Sequence, residues 1–237
     1  MKILVVIPAY NEALNIGPLM EQLLKLPLPI EVLVVDDNSP DGTGGLVKAA
    51  AEKEPRVRLL ERAGKLGLGS AQREGLRYGL ANGYDRVVIM DGDFSHDPAV
   101  LPELVKATET ADVAVGSRYI PGGRIQGWPW PRLALSRGSN ALARLALGPA
   151  LSDWTGAYRC YRREVLAALP LDRMRSDGYA FAEELAYTIL HLGFRLTEVP
   201  ITFVDRTRGR SKINRSEVWK AAFLLLRLGL KRLFSHP

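Results

Sequence analysis

The sequence predicts an α/β fold, a doubly wound and mostly parallel sheet with helices on both faces, and three features predict it. Short β-branched runs alternate with longer amphipathic stretches, the runs lack the polar alternation of a half-exposed strand, and each run ends in a polar, turn-rich segment. "KILVVI" (2–7) opens the series as a buried strand and is followed by a helical pattern through Leu14, Leu19, Leu23 and Leu26. "EVLVVD" (31–36) precedes the helical "GGLVKAAAEK", "VRLLE" (57–61) precedes "SAQREGLRYGLANG", and "RVVIMD" (86–91) precedes "AVLPELVKATE". "DVAVGSRY" (112–119) closes the series, so that roughly the first 120 residues form the sheet-rich half.

Beyond Tyr119 the pattern loosens. "IPGGRIQGWPWPR" (120–132) reads as a loop because it is rich in glycine and proline, and its tryptophans set it apart from a linker. Helical spacing returns in "LALSRGSNALARLAL" and "GYAFAEELAYTILHLG", with "WTGAYRCYRREVLAAL" between them. "RLTEVPITFVD" (195–205) reads as a strand, and a long helix is expected from about Ser216.

At 237 residues and 47% hydrophobic, the chain is long and apolar enough for one large globular domain or one domain with an appendage. No run of eighteen apolar residues is present, and "MKILVVIPAYNE" lacks the cleavage site of a secretory signal. The expected location is therefore cytoplasmic, peripheral at the cytosolic face of a membrane. The one cysteine, Cys160, excludes an internal disulfide. The net charge of +6 favours anionic partners, and its excess lies late, in "DRTRGRSKINR" (205–215) and the helix after it. Nucleic acid is not the expected partner, because no nucleic-acid module accompanies that charge.

Ligands of such sheets sit beyond the carboxyl ends of the strands. There the chain carries "PAYNE" (8–12), "DDNSPDGT" (36–43), "DGDFSHD" (91–97) and "GSRY" (116–119). Asp91 and Asp93, one residue apart around Gly92, suit a hard divalent cation held by one or two carboxylates and by substrate phosphates. An ordinary Asp-Gly turn is the other reading of that tripeptide. Asp36 and Asp37 are placed to accept from a ribose or a base edge, and Tyr10 offers an aromatic surface beside Asn11 and Glu12. "AGKLGLGSA" (63–71) lacks the Gly-Lys-Ser/Thr ending of a P-loop and is expected to shape the nucleotide pocket and cap the next helix through Ser70. His96 and His191 carry no assignment.

The segments "VVIPAYNEALNI", "VVDDNSPDGT", "GLGSAQREGL", "MDGDFSHDP", "GSRY", "WTGAYRCYRREVL" and "VDRTRGRSK", in this order and spacing, resemble family 2 glycosyltransferases of the GT-A fold. They are most similar to the dolichyl-phosphate (polyprenyl-phosphate) mannose synthases. The resemblance implies a nucleotide-sugar pocket in which Pro8, Tyr10 and Glu12 line the base and ribose, completed by Val35 and Asp37. It implies that Asp91 holds the ribose and diphosphate region, with Gly92 allowing close approach, and that Asp93 ligates Mg2+ or Mn2+. The family often has glutamine two residues further on, where this chain has Ser95 as the candidate contact to the metal. Arg206 and Lys212 match paired basic positions on a loop over the diphosphate, and Arg118, Arg132 and Ser136 match the acceptor-phosphate positions. Glu184 falls at an acidic family position, with Asp177 and Glu183 as alternatives.

The implied activity is metal-dependent, inverting transfer of mannose from GDP-mannose to a polyprenyl phosphate, dolichyl or undecaprenyl. An ionised lipid phosphate needs capture rather than a general base. Alternatives are another donor such as UDP-glucose, a non-lipid acceptor, or an idle nucleotide-sugar-binding scaffold. The expected organisation is a catalytic domain over 1–215, divided into a nucleotide-sugar half (1–120) and an acceptor half (121–215), with a C-terminal amphipathic helix over 216–237. That helix is expected either to pack on the core or to lie in a membrane interface. Without a membrane-spanning segment, the enzyme is expected to be peripheral or to use a membrane-spanning partner.

Overall fold

The computed structural model describes residues 1–174, 176–206 and 224–229. In chain order the elements are β1 (Ile3–Ala9), α1 (Ile16–Leu24), β2 (Ile30–Asp36), α2 (Thr43–Ala51), β3 (Val57–Glu61), α3 (Leu68–Ala81) and β4 (Arg86–Ile89). A single 3-10 turn at Pro98–Val100 leads into α4 (Leu101–Ala107) and β5 (Val113–Ser117). Then come β6 (Arg124–Gln126), α5 (Trp130–Leu147), β7 (Arg159–Arg162), α6 (Arg163–Ala168), α7 (Gly178–His191), β8 (Leu196–Pro200) and β9 (Thr202–Val204).

Seven strands form one sheet in the order β3-β2-β1-β4-β7-β5-β8, and β6 pairs with β9 in a separate ribbon. All main-sheet pairings are parallel except those of β7, which runs antiparallel to both β4 and β5. Side-chain alternation explains why the strands are apolar throughout. Leu4 and Val6 of β1 join Ala71 and Leu76 of α3 and Phe181 of α7 in one core cluster. Ile3, Val5 and Ile7 join Leu19 and Leu23 of α1 and Leu104 of α4 in the other. Helix α3 lies so near the sheet that a Cβ at Gly75 would come within 2.2 Å of Val6.

The structure adds a strand that the sequence reading did not name: β7, drawn from "RCYR", is inserted between β4 and β5. The run 195–205 breaks at Ile201, whose amide bonds to the Ser117 carbonyl; β8 stays in the main sheet and β9 leaves it for β6. The 120–132 loop therefore contains a strand, and α5 begins inside it at Trp130. In the N-terminal helix, Leu14 is exposed and the buried face is Ile16, Leu19, Met20 and Leu23.

Of the expected C-terminal helix, residues 224–229 are helical. Leu224, Leu225 and Leu228 are buried in the α3–α7 cluster, and Leu226 faces outward. This turn packs on the core. Among the described residues no helix is long and apolar enough to cross a membrane.

Candidate active site

Strand order reverses at the centre of the sheet: β2 lies on one side of β1 and β4 on the other. A crevice opens beyond their carboxyl ends, as the topology requires. It is a cleft of about 350 Å³, lined at one end by Tyr10, Glu12, Asp37, Lys65 and Gly67. Asp91, Gly92, Asp93 and Arg206 form another part of the wall, and Gln72, Thr155, Ala157, Asp177 and Ala182 complete it, with Asp177 against Gly67 and against Gly69 of α3. Pro8 and Ala9 also contribute.

At the first end, Lys65 Nζ stands 4.4 Å over the Tyr10 ring, a cation–π contact that orients an aromatic face toward the cleft. Asp37 is buried and accepts from Arg62 Nε at 2.6 Å and from the Leu66 and Gly67 amides at 3.0 and 3.1 Å. Its carboxylate therefore shapes the 66–67 turn as well as lining the cleft. Glu12 Oε2 accepts from Asn15 Nδ2 at 2.9 Å. Val35 does not reach the cleft: its side chain is fully buried in the α3–α7 cluster. Nor is Ser70 the cap of α3. Gly67 occupies that position, and the Ser70 hydroxyl bonds to the Leu66 and Gly67 carbonyls and receives Arg62.

The Asp-Gly-Asp segment is held tightly. Asp93 Oδ1 accepts from the Ser95 hydroxyl at 2.5 Å and from the Ser95 amide at 3.1 Å. Asp93 Oδ2 pairs with Arg206 at 3.2 Å. Burial opposes ionisation of Asp93, but the Ser95 hydrogen bonds and the Arg206 charge outweigh it and hold the carboxyl below its usual range. Desolvation pushes Asp91 the other way, and the neighbouring Asp93 charge adds to that shift. Phe94 sits at φ +62°, an uncommon conformation for a bulky residue, and these contacts keep it there. Ser95 is buried, is not among the residues lining the cleft, and its hydroxyl and amide fix the Asp93 rotamer.

His96 belongs to this loop although the sequence reading left it unassigned. Its Nδ1 accepts from the Asp91 amide at 3.0 Å, and its ring stacks on Tyr158 at 4.9 Å and meets the edge of Phe203 at 5.6 Å. Burial lowers its pKa, in keeping with a neutral ring that accepts at Nδ1. The local signal was its place between the acidic pair and Asp97, whose side chain caps the following turn.

The Asp91–Asp93 carboxylate pair suits Mg2+ or Mn2+, which complete their shells with phosphate and water. Among the described residues there is no group of three or more His, Cys, Asp or Glu able to hold a metal alone. Asp93, with Asp91 beside it, fits the partial site.

The expected acceptor residues gather outside this cleft. Arg118 is buried against Asp153, with Nε–Oδ2 at 2.6 Å and Nη2–Oδ1 at 2.7 Å, and also donates to Thr155 Oγ1 at 2.7 Å. Its guanidinium carbon lies 5.4 to 5.6 Å from the Tyr119, Trp128 and Phe203 ring centres. Arg132 lies 4.1 Å over Trp128 and donates to Asp205 Oδ1 at 2.8 Å. Ser136, one turn on in α5, accepts from the Tyr119 hydroxyl at 2.7 Å. Asp205 Oδ1 also accepts the Arg206 amide at 3.1 Å, so one carboxylate joins Arg132 to the arginine that reaches Asp93. Lys212 lies outside the described residues. Of the three acidic candidates near α7, Asp177 lines the cleft and bonds the Gly69 amide at 2.5 Å. Glu183 is fully buried with both carboxyl oxygens unpartnered among the described residues, and Glu184 bonds the Ser176 amide at 3.3 Å.

A mixed sheet whose switch point carries an acidic pair, with an antiparallel strand between β4 and β5, has the GT-A architecture of glycosyltransferases. The family model described as "Glycosyl transferase family 2" matches residues 4–169, and the chain belongs to that family. It is 43% identical over 230 residues to a polyprenol monophosphomannose synthase of Mycolicibacterium smegmatis, covering 96% of this chain and 87% of the relative. It is also 43% identical over 230 residues to an undecaprenyl-phosphate mannosyltransferase of Micrococcus luteus, covering 97% and 95%. Among solved structures, the mannosyltransferase PcManGT of Pyrobaculum calidifontis in complex with GDP-Man and Mn2+ superposes with a TM-score of 0.61. That match is 22% identical and covers 99% of this chain and 65% of the other.

Proposed function

We propose that this glycosyltransferase moves mannose from GDP-mannose to a polyprenyl phosphate with inversion, at the cytosolic face of a membrane. The observation that carries the reading is the convergence of Asp91, Asp93 and Arg206 in one cleft, tied through Asp205 to Arg132 on the acceptor side. The mannosyltransferase relatives, similar over nearly the whole chain, support mannose as the transferred sugar and a polyprenyl phosphate as the acceptor.

A phosphate oxygen of the lipid attacks the anomeric carbon from the face opposite the diphosphate. The bond from that carbon to the diphosphate oxygen breaks, and its electron pair leaves with GDP. The product is a β-linked polyprenyl-phosphate mannose, and no proton has to be removed because the attacking phosphate is already ionised. Asp93 and Asp91 would hold the divalent ion, which when bound neutralises charge growing on the leaving diphosphate. Arg206 supplies a positive charge at the same point once it exchanges Asp93 for the diphosphate, and Lys212 is the expected second cation. Arg132 and Ser136 capture the lipid phosphate, with Arg118 and Asp153 as the frame behind them. Tyr10 and Lys65 flank the nucleotide base.

A transfer assay with polyprenyl phosphate and Mn2+, comparing GDP-mannose with UDP-glucose, tests the reading. Mannolipid formation from GDP-mannose that stops with EDTA is expected. Transfer only to a sugar or protein hydroxyl would sink it.

A further inference from the structure

Helix α3 presents one side-chain amide to the donor cleft. Gln72 is 3% exposed, lines the cleft and has no hydrogen-bond partner among the described residues. Its amide opens onto the cleft, so a ligand there can take the place of the water that otherwise satisfies it.

Its position narrows the ligand. One turn before it, Gly69 packs against Asp177 and Phe181 of α7; one turn after it, Gly75 packs against Val6 of β1. Gln72 therefore points into the wedge between α7 and the sheet. It lies five residues, or roughly 7.5 Å of helix, beyond Gly67 at the nucleotide end. A nucleotide sugar has three parts to place. In the proposed reading Tyr10, Asp37 and Lys65 serve the base and ribose, and Asp91, Asp93 and Arg206 serve the diphosphate, which leaves the hexose as the part without an assigned partner. The chemistry agrees. A diphosphate offers only acceptors, whereas a primary amide presents two donors and an acceptor, the complement of sugar hydroxyls that both donate and accept.

We infer that Gln72 is a specificity-determining residue that hydrogen-bonds hydroxyl groups of the transferred hexose. The inference rests on the nucleotide-sugar reading of the cleft. Replacing the amide by an apolar group of similar length, Gln72→Met, isolates it. Calorimetric titration of the full chain with Mn2+ should show GDP-mannose affinity falling roughly tenfold while GDP affinity changes by less than about twofold. The variant should melt within about 2 °C of wild type, because the amide it removes makes no hydrogen bond to the described protein residues. Gln72→Ala, which demands no extra space, must give the same split. Equal loss for GDP and GDP-mannose would assign Gln72 to the ribose or diphosphate and overturn the inference, as would unchanged affinity for both. Failure of the donor reading looks different: wild-type protein would then bind UDP and UDP-glucose but neither guanine ligand. In that case the same split, read with UDP-glucose against UDP, decides the role of Gln72.

Discussion

Arg118→Ala separates a framing role from an anion-capturing one. The guanidinium makes two charge-assisted hydrogen bonds to Asp153, and the side chains are 5% and 0% exposed. Removing the arginine leaves a carboxylate with no route to water, and breaking a buried pair in this way costs about 3–5 kcal/mol. Asp153 is held below its usual range because the Arg118 charge and hydrogen bonds overcome the cost of desolvation. Without Arg118 it takes up a proton, which caps the loss. For a domain of this size each kcal/mol moves the melting temperature by roughly 2–4 °C, so the variant should melt about 6–20 °C below wild type. Differential scanning calorimetry reads the shift. Asp153→Asn in the same background should recover part of it, since the uncompensated charge is then gone. An Arg118→Ala protein that melts with the wild type but no longer uses polyprenyl phosphate would refute the framing role and return Arg118 to the acceptor site.

Asp93→Asn preserves size while removing the charge, and should lower Mn2+-dependent transfer by at least roughly 10²-fold; undiminished turnover across a metal titration would remove the metal role. Arg132→Ala should raise the KM for polyprenyl phosphate about tenfold with GDP-mannose binding nearly unchanged, and a selective loss of donor binding would contradict the acceptor assignment. Glu183 gives a pH signature. Burial raises its carboxyl from 4.5 to about 8, so the folded state keeps a proton that the unfolded chain loses. The associated stability is complete below pH 4.5 and disappears as pH rises through about 8, a loss of roughly 5 kcal/mol. Glu183→Gln should flatten the fall in melting temperature between pH 5 and pH 9, and parallel curves for variant and wild type would count against the buried acid.

The first four parallel strands and the polar segments at their ends were legible because each rests on local information. An unbroken apolar run ending in "MDGD" or "VVDD" reads as a buried strand and a strand end wherever it lies in the chain. The inserted strand β7 was not legible. "RCYR" is four residues bounded by arginines, and only pairing with β4 and β5, over 70 and 40 residues away, makes it a strand. The split between β8 and β9 has the same origin, since Ile201 gives the last ladder bond to Ser117 of β5 while its carbonyl accepts the Arg124 amide of β6.

The site divides along the same line. Asp91, Gly92 and Asp93 were suggested by residue type and spacing, and Pro8, Tyr10, Glu12, Asp37 and Arg206 by the resemblance to family 2 glycosyltransferases; all line the cleft. Side-chain partners were beyond the reach of the sequence. Nothing near Arg118 in the chain announces Asp153, nothing near Arg132 announces Asp205, and His96 gained a role only when its ring met the Asp91 amide. Residue type and hydrophobic period are carried by each stretch of chain, so they determine which segments form strands and which ends hold charge. Burial, pairing and orientation arise from contacts between distant stretches, so folding alone determines that Arg118 faces Asp153, that Ser95 orients Asp93, and that Gln72 lies unpaired in the cleft.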